Sequence, residues 1–534
     1  MMPKLPKLSI SSLTLLLAGA SLLPANALAQ HGQWHVADGN PMHDNSQSTE
    51  SQINLQSIST TFKFLWKLKL GDGPPASFNE FLFTPSMISS RGFKDIGLWA
   101  DSSNVYAVDY ELGTLFWQKH LDVKSAGACG TATAQILMEP PRIIRFGAKS
   151  AAPPAGVRPT PPPPPPAAAD RWIGAPSPGG GFGLKGIYVL TSDGYLHEQI
   201  MATGLDYAPP VKLVPTPTSK ILGLNMNDKV VYTESTGSCA GASNAVYAID
   251  LNTSQLLISS YPLNNLTPAD IAGPVIGPDG TIYISTAPGT AANIHASSII
   301  ALSAKDLKPK DWFTISKADT LTAIDMNDVD HGQHLNLTPI VISYKDKDWV
   351  AAAGKDGSIV LLDANSLGGA DHHTPLTQTP SLSTTTPVKA WEGLASSQDK
   401  TGNLYLLASI AGPLTSEIKF PNSAGTPSHG SIVAFKIDTQ GPAPVLSPLW
   451  VSHDLLNPAP PVIANGIAFA LAGGDIKHHA TLFAFDLATG KQLFSSGDTI
   501  SSYSQLSGLS VGDRHIFFTT HDNTLYSFGI PLEH

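Results

Sequence analysis

Short apolar runs alternate with turn residues along most of this chain, and one pattern of them recurs. Leu482 to Phe494 (LFAFDLATGKQLF) shows the unit. An apolar run ends at Asp486, Ala488-Thr489-Gly490 turns the chain, and Gln492 to Phe494 starts a return strand. The same unit stands at Val105 to Trp117 (VYAVDYELGTLFW), Val246 to Leu256 (VYAIDLNTSQL), Ile359 to Leu367 (IVLLDANSL) and Ile432 to Asp438 (IVAFKID). Weaker copies are Ile299 to Leu307, Gly194 to His197 and Leu525 to Phe528. Recurrence at this spacing marks an architecture of stacked β units, each unable to bury its apolar face alone. Thr61 to Leu70 (TFKFLWKLKL) alternates apolar and polar residues, which would set Phe62, Phe64, Trp66, Leu68 and Leu70 on one face of a strand.

The motif apolar-Tyr-Ala-apolar-Asp-x-x-Thr-Gly-x-x-x-Trp resembles the repeat of the pyrroloquinoline quinone (PQQ) propeller family. That family contains quinoprotein alcohol dehydrogenases and cofactor-free scaffolds. The resemblance covers nearly all of the chain after the first ~60 residues and implies an all-β propeller of four-stranded antiparallel blades. The anchors place blades at about 81–121, 136–214, 221–263, 272–315, 335–376, 388–455, 461–498 and 506–528. The last lacks a strand, which Thr61 to Leu70 would supply to close the ring and remove an open edge. The count is eight, or seven if the weak copy Gly194 to His197 is not a repeat. The family also implies that the Gly and Trp of the repeats interlock neighbouring blades, here Gly113 with Trp117 and Gly490 with Phe494. Several copies lack the Trp, so the junctions should differ.

The first residues read as an export signal. Lys4 and Lys7 precede the apolar run Leu13 to Leu23, and Ala27-Leu28-Ala29 forms a cleavage site before Gln30. The expected organisation is a signal peptide at 1–29, a leader at 30–60 and a propeller at 61–534. The protein would be periplasmic or secreted, with cleavage after Ala29. The leader carries Trp34, Gly39, Asn40, Pro41 and His43, which match a segment preceding the first blade in the family, and a partly docked leader is expected. Ala151 to Ala169, with Pro161 to Pro166 unbroken, is a proline-rich insertion in the second blade, extended or a tether. No later stretch is apolar for long enough to span a bilayer. Charged residues make up 14% of the chain and the formal net charge is -10 without any Lys/Arg cluster, which argues against nucleic acid as partner.

The resemblance allows the chemistry to be checked position by position. A PQQ dehydrogenase needs a quinone, a Ca²⁺ with hard oxygen ligands and an aspartate base. At the family's calcium-binding glutamate this chain has Cys239, in Gly237-Ser238-Cys239-Ala240-Gly241. At the calcium-binding asparagine it has Ala287, after the strand Thr281 to Ser285. Where the dehydrogenases carry two adjacent cysteines, Ala126 to Gly130 holds only Cys129. The resemblance sets both cysteines facing one central site, and an exported chain with an even cysteine count invites pairing. A Cys129–Cys239 disulfide is therefore expected, with two free buried thiols as the alternative. An acidic segment, Ala323 to Asp330, persists before the fifth blade, and Lys355-Asp356-Gly357 follows. By resemblance Asp328 or Asp330 would be the base and Lys355 a cofactor contact. Asp-rich turns and Lys-Asp-Gly hairpins are equally ordinary features of such repeats.

The 17 histidines include His372-His373, His478-His479 and the His331/His334 pair. Adjacent histidines on a strand point to opposite faces, so these are expected to be exposed loop residues rather than ligands, and no metal is expected. There is no HExxH or P-loop motif. The reading favoured is a non-catalytic binding or scaffold propeller without cofactor, taking a protein, peptide or glycan on its faces. The alternative is a PQQ- and calcium-dependent dehydrogenase acting on an alcohol or aldose.

Overall fold

The computed structural model describes residues 32–70, 76–89, 92–123, 133–140, 171–175, 186–215, 218–238, 244–264, 266–270, 272–287, 295–314, 338–353, 357–383, 393–504 and 508–532. They form eight antiparallel sheets, each a meander with its first strand innermost: an eight-bladed β-propeller. Blade 1 consists of Leu82–Ser89, Gly92–Ala100, Asn104–Asp109 and Thr114–His120. Blades 2 to 7 span 135–212, 218–264, 275–314, 340–378, 394–451 and 462–495. Every recurring motif of the sequence is the third strand of a blade, including Tyr195–Ile200, so the weak copy at Gly194 is a real repeat. The third strand carries the clearest motif because it is covered on both faces. Asn104–Asp109 is buried at all positions but the first, whereas the outer strand Thr114–His120 is half exposed. In blade 6 the long connection adds Asn422–Ser423 in parallel beside Trp450–Val451, covering the outer edge.

Both ends of the chain build blade 8. Ser510–Gly512, His515–Thr520 and Thr524–Gly529 are joined by Lys63–Lys69, antiparallel to Thr524–Gly529. The expected single apolar face of this closing strand is not what forms. A bulge between Phe64 and Trp66 shifts the register, so the side chains change sides midway. Phe62 packs edge-on against Phe494 of blade 7 (4.9 Å), and Phe64 packs on Phe528 (5.6 Å). Trp66 turns the other way, to Phe517 (5.9 Å) and to Gly113 of blade 1. One strand thereby holds both neighbours of the closing blade.

Trp–Gly interlocks exist, but they run between blades and not within a repeat. The Trp66 indole N–H donates to the Tyr110 carbonyl (2.8 Å), Trp117 to Met201 (2.8 Å) and Trp450 to Leu487 (2.8 Å). Each indole lies on a turn glycine of the next blade: Trp66 on Gly113, Trp117 on Gly204 and Trp450 on Gly490. Phe494 cannot donate such a bond. The junction it faces is held by the aromatic cluster of Phe62, Phe494 and Phe528 instead.

The leader is fully docked. From Trp34 to Glu50 it hydrogen-bonds to all eight blades in order around the axis. Trp34 pairs with Phe83 of blade 1 (3.0 and 2.8 Å), and the His35 carbonyl accepts from Met138 of blade 2 (2.8 Å). The Pro41 carbonyl accepts from the Asn225 side chain of blade 3 (3.0 Å) and from Ile276 of blade 4 (2.8 Å). Met42 accepts from Val341 of blade 5 (3.0 Å), Asp44 from Ser396 of blade 6 (2.8 Å) and Asn45 from Ile463 of blade 7 (2.9 Å). The Glu50 carboxylate accepts from the Arg514 N–H of blade 8 (3.0 Å). Tight winding needs left-handed backbone, which Asp38, Gly39, His43 and Asn45 adopt. A capped helix, Leu55–Thr60, then leads into the closing strand. Arg514 lies in the turn between the first and second strands of its blade, and Asn465, in the same turn of blade 7, donates to Ile53 (2.8 Å). The leader therefore lies toward the end of the ring that carries these hairpins.

Gly490 sits at φ +72°, and a Cβ there would stand 2.6 Å from the Trp450 ring. Gly490→Ala should destabilise by about 1–3 kcal/mol, and Trp450→Ala by about 3–5 kcal/mol. Denaturant melts of the two single variants and the double variant check this. The double should cost less than the sum, because both changes break one contact.

Candidate functional site

The residues singled out by the sequence, Asp328, Asp330, Lys355, Cys129 and Cys239, lie outside the described residues, as do the signal peptide and the proline-rich insertion. The strands flanking them are described. Cys239 follows the second strand of blade 3 (Val230–Ser238), and Lys355 follows the second strand of blade 5 (Lys347–Ala353). Asp328 and Asp330 stand between the last strand of blade 4 (Pro309–Thr314) and the first of blade 5 (Ile340–Tyr344). Cys129 stands between the last strand of blade 1 and the first of blade 2. In a meander with the first strand innermost, these connections all leave from the end of the ring opposite the leader. The topology thus gives all five residues attachment points on one loop-bearing end.

Ala287 is described there. It is buried, its N–H donates to Thr267 (2.8 Å), and its carbonyl accepts from Ser297 (3.1 Å). The position offers only a methyl group, with its main-chain groups already engaged within blade 4's loop.

Beside it lies a buried pair that sequence reasoning missed. Glu234, in the middle of a blade 3 strand, and Asp270, in the loop entering blade 4, are both fully inaccessible. Asp270 accepts from the Ser285 N–H (2.7 Å) and from the Ser285 hydroxyl. Glu234 has no such donors, and both its oxygens are buried. Burial raises the pKa of both carboxyls, Glu234 the more, with the adjacent Asp270 charge adding to it. The arrangement that satisfies both is a protonated Glu234 facing an Asp270 held by Ser285. The pair can hold a proton between two blades, and it is closed to solvent.

A second polar centre is the leader on the axis. Glu80 accepts from the Trp34 indole N–H and from the Asp38 N–H (3.2 Å). Burial, and then the Asp38 charge, raises the Glu80 pKa. Burial also takes Asp44 up to about 7, although the Asn40 amide (2.7 Å) and the Ser46 N–H (3.0 Å) oppose it. His43 is fully buried and pushed down to about 3 by desolvation, hence neutral. The Asn225 amide bonds its Nε2 (3.0 Å), and its Nδ1 lies 3.8 Å from Asp38. Burial thus shifts each of these groups toward its neutral form, as a hub enclosed in protein favours. A signal for two of the acids exists in sequence. Glu80 interrupts the aromatic run Phe78 to Phe83, and Glu234 follows the apolar run Val230 to Tyr232 within the same strand. Asp270 sits in an ordinary polar loop.

The expected exposed histidine pairs are borne out in part. His478 is exposed in the turn Asp475–His478. His372 instead stacks on Trp312 (3.6 Å) and bonds Asp311 (3.1 Å).

No protein-family model matches the chain, and no curated protein matches it. Solved structures do. The fold is similar to a quinohemoprotein alcohol dehydrogenase from Comamonas testosteroni, with TM-score 0.55 and 14% identity over 96% of this chain and 82% of that one. BamB from Moraxella catarrhalis aligns at TM-score 0.44 and 13% identity over 88% of this chain and 99% of that one. Sqt1 of Saccharomyces cerevisiae aligns at 0.48 and 9% over 89% and 100%. At such identities the first likeness establishes the fold alone, and the other two add no argument. No helix among the described residues is long and apolar enough to cross a membrane.

The Glu234–Asp270 pair predicts a pH dependence. Both pKa values are raised on folding, so the folded state holds more protons than the unfolded chain from about pH 4 upward. Stability should therefore fall as pH rises from there past neutrality. In Glu234→Gln/Asp270→Asn the decline of melting temperature between pH 5 and pH 8 should be shallower than in the unmodified protein. An unchanged slope would assign the dependence to other groups.

Proposed function

We propose that this chain is an exported, non-catalytic binding module, whose loop-bearing end takes a protein, peptide or glycan. One observation carries the reading: at position 287 the chain places a buried methyl whose neighbouring main-chain groups are already bonded. By resemblance, a quinoprotein has an amide oxygen on Ca²⁺ there. Ca²⁺ requires several hard oxygen ligands, and the residues this chain supplies do not fit it. Cys239 in place of the carboxylate and the lone Cys129 support the same reading. The leader works in the same direction, since it fills one end of the ring and directs any ligand to the other.

A second reading rests on the acidic segment Ala323 to Asp330 and on Lys355. It is a PQQ-dependent dehydrogenase for an alcohol or aldose, with Asp328 or Asp330 as base. The two readings separate in one titration. Purified protein is titrated with PQQ and Ca²⁺ while the quinone absorbance is followed, and alcohols and aldoses are then added with an artificial electron acceptor. The binding-module reading expects no saturable quinone binding at tens of micromolar and no dye reduction. Stoichiometric binding with dye reduction, abolished by Asp328→Ala or Asp330→Ala, would overturn it.

A further inference from the structure

At the seam where blade 8 meets blade 1, Glu111, Asp513 and His515 each bring a side-chain ligand atom within 4.8 Å of the others. Glu111 lies in the turn after the third strand of blade 1. Asp513 lies in the first hairpin of blade 8, and His515 begins its second strand. Asp513 and His515 are buried and Glu111 is largely so. Their orientation is built. The Tyr110 hydroxyl donates to Asp513 Oδ2 (2.8 Å). His515 Nδ1 donates to the Asp513 carbonyl (2.7 Å), which fixes the ring and makes Nε2 the basic nitrogen. Phe517 stacks on the imidazole (5.3 Å), and Tyr110 meets it edge-on (5.4 Å). An imidazole whose other nitrogen is tied to a main-chain carbonyl is the arrangement that orients metal-binding histidines.

A second observation points to a ligand. Arg514 is buried, and its guanidinium lies against the cluster, with Nη2 on Glu111 and Nε 3.9 Å from Asp513. Its Nη1 is buried with no acceptor. An orphaned N–H of a charged group is costly, and a solvent molecule held at a fixed point would satisfy it. Charge is also unbalanced. Glu111 and Asp513 set two carboxylates beside the one guanidinium, and Glu50 accepts from the Arg514 main chain.

We infer that Glu111, Asp513 and His515 bind one divalent d-block cation of the Zn²⁺ or Mn²⁺ class, whose bound water accepts from Arg514 Nη1. One imidazole and two carboxylates form a donor set that suits these ions better than the all-oxygen shells of Ca²⁺ and Mg²⁺. The ion clasps a turn of blade 1 to a hairpin of blade 8, at the junction where the two ends of the chain close the ring. The inference is independent of the function proposed above.

The test uses the untagged full chain, stripped with chelator and dialysed. Zn²⁺, Mn²⁺ and Ca²⁺ are then added separately, with stoichiometry read by elemental analysis and affinity by calorimetry. One Zn²⁺ or Mn²⁺ per chain is expected, with a rise in melting temperature. Glu111→Gln should abolish the stoichiometric binding. Tyr110→Phe, which keeps the ring and removes only the hydroxyl donated to Asp513, should weaken it roughly 10-fold or more. No stoichiometric binding would overturn the inference. So would a preference for Ca²⁺, or unaltered binding in both variants, which would locate the metal on other histidines.

Discussion

Each blade of a propeller turns the edge of its innermost strand toward the axis, and that edge carries main-chain groups with no strand beyond them. Buried groups of this kind need partners. Here a single thread of chain, Trp34 to Glu50, meets eight blades in succession, bonding main-chain groups of seven and, in blade 3, the Asn225 side chain. The rest of the structure follows from that circuit. It fills one end of the ring, requires left-handed backbone at Asp38, Gly39, His43 and Asn45, and places acids where solvent does not reach freely. Burial disfavours the charged form of those acids and raises their pKa values.

Closure is the second constraint, and it is concentrated in one strand. Lys63–Lys69 follows directly on the leader and its short helix, so the segment that organises the axis also completes blade 8. The bulge at Leu65 lets Phe64 pack on Phe528 within blade 8 while Trp66 faces blade 1, and Phe62, just before the strand, meets Phe494 of blade 7. Indole–glycine docks hold the junctions at Trp66, Trp117 and Trp450, and an aromatic cluster serves where Phe494 replaces the Trp. A ring whose repeats have diverged this far can keep its geometry because each junction finds its own packing solution.

The candidate site was legible in sequence chiefly as a set of replaced groups. By resemblance Ala287 reads as a lost oxygen ligand, and the structure places it buried, with its main-chain N–H and carbonyl bonded. The Glu234–Asp270 pair was not legible. Glu234 stands among Thr233, Ser235 and Thr236 with no partner visible in sequence, and Asp270 looks like any loop aspartate. Only the approach of blade 4 to blade 3 makes them a pair. The cluster of Glu111, Asp513 and His515 was equally hidden, with some four hundred residues between its halves.

What this sequence determined by itself was local. The period-two alternation and the recurring Asp-turn-Gly motif located the third strand of every blade. Burial on both faces of a strand leaves such a mark within a few residues, and together with the family resemblance the marks led to eight blades and to Thr61–Leu70 as the closing strand. Tertiary structure alone decided which face each part of the closing strand presents, how far the leader docks, and which carboxyls end up buried together. Those outcomes rest on contacts such as Asn45 with Leu394 and Glu50 with Arg514, between residues hundreds of positions apart. The pattern along the chain records how a strand is covered, and it does not record what covers it.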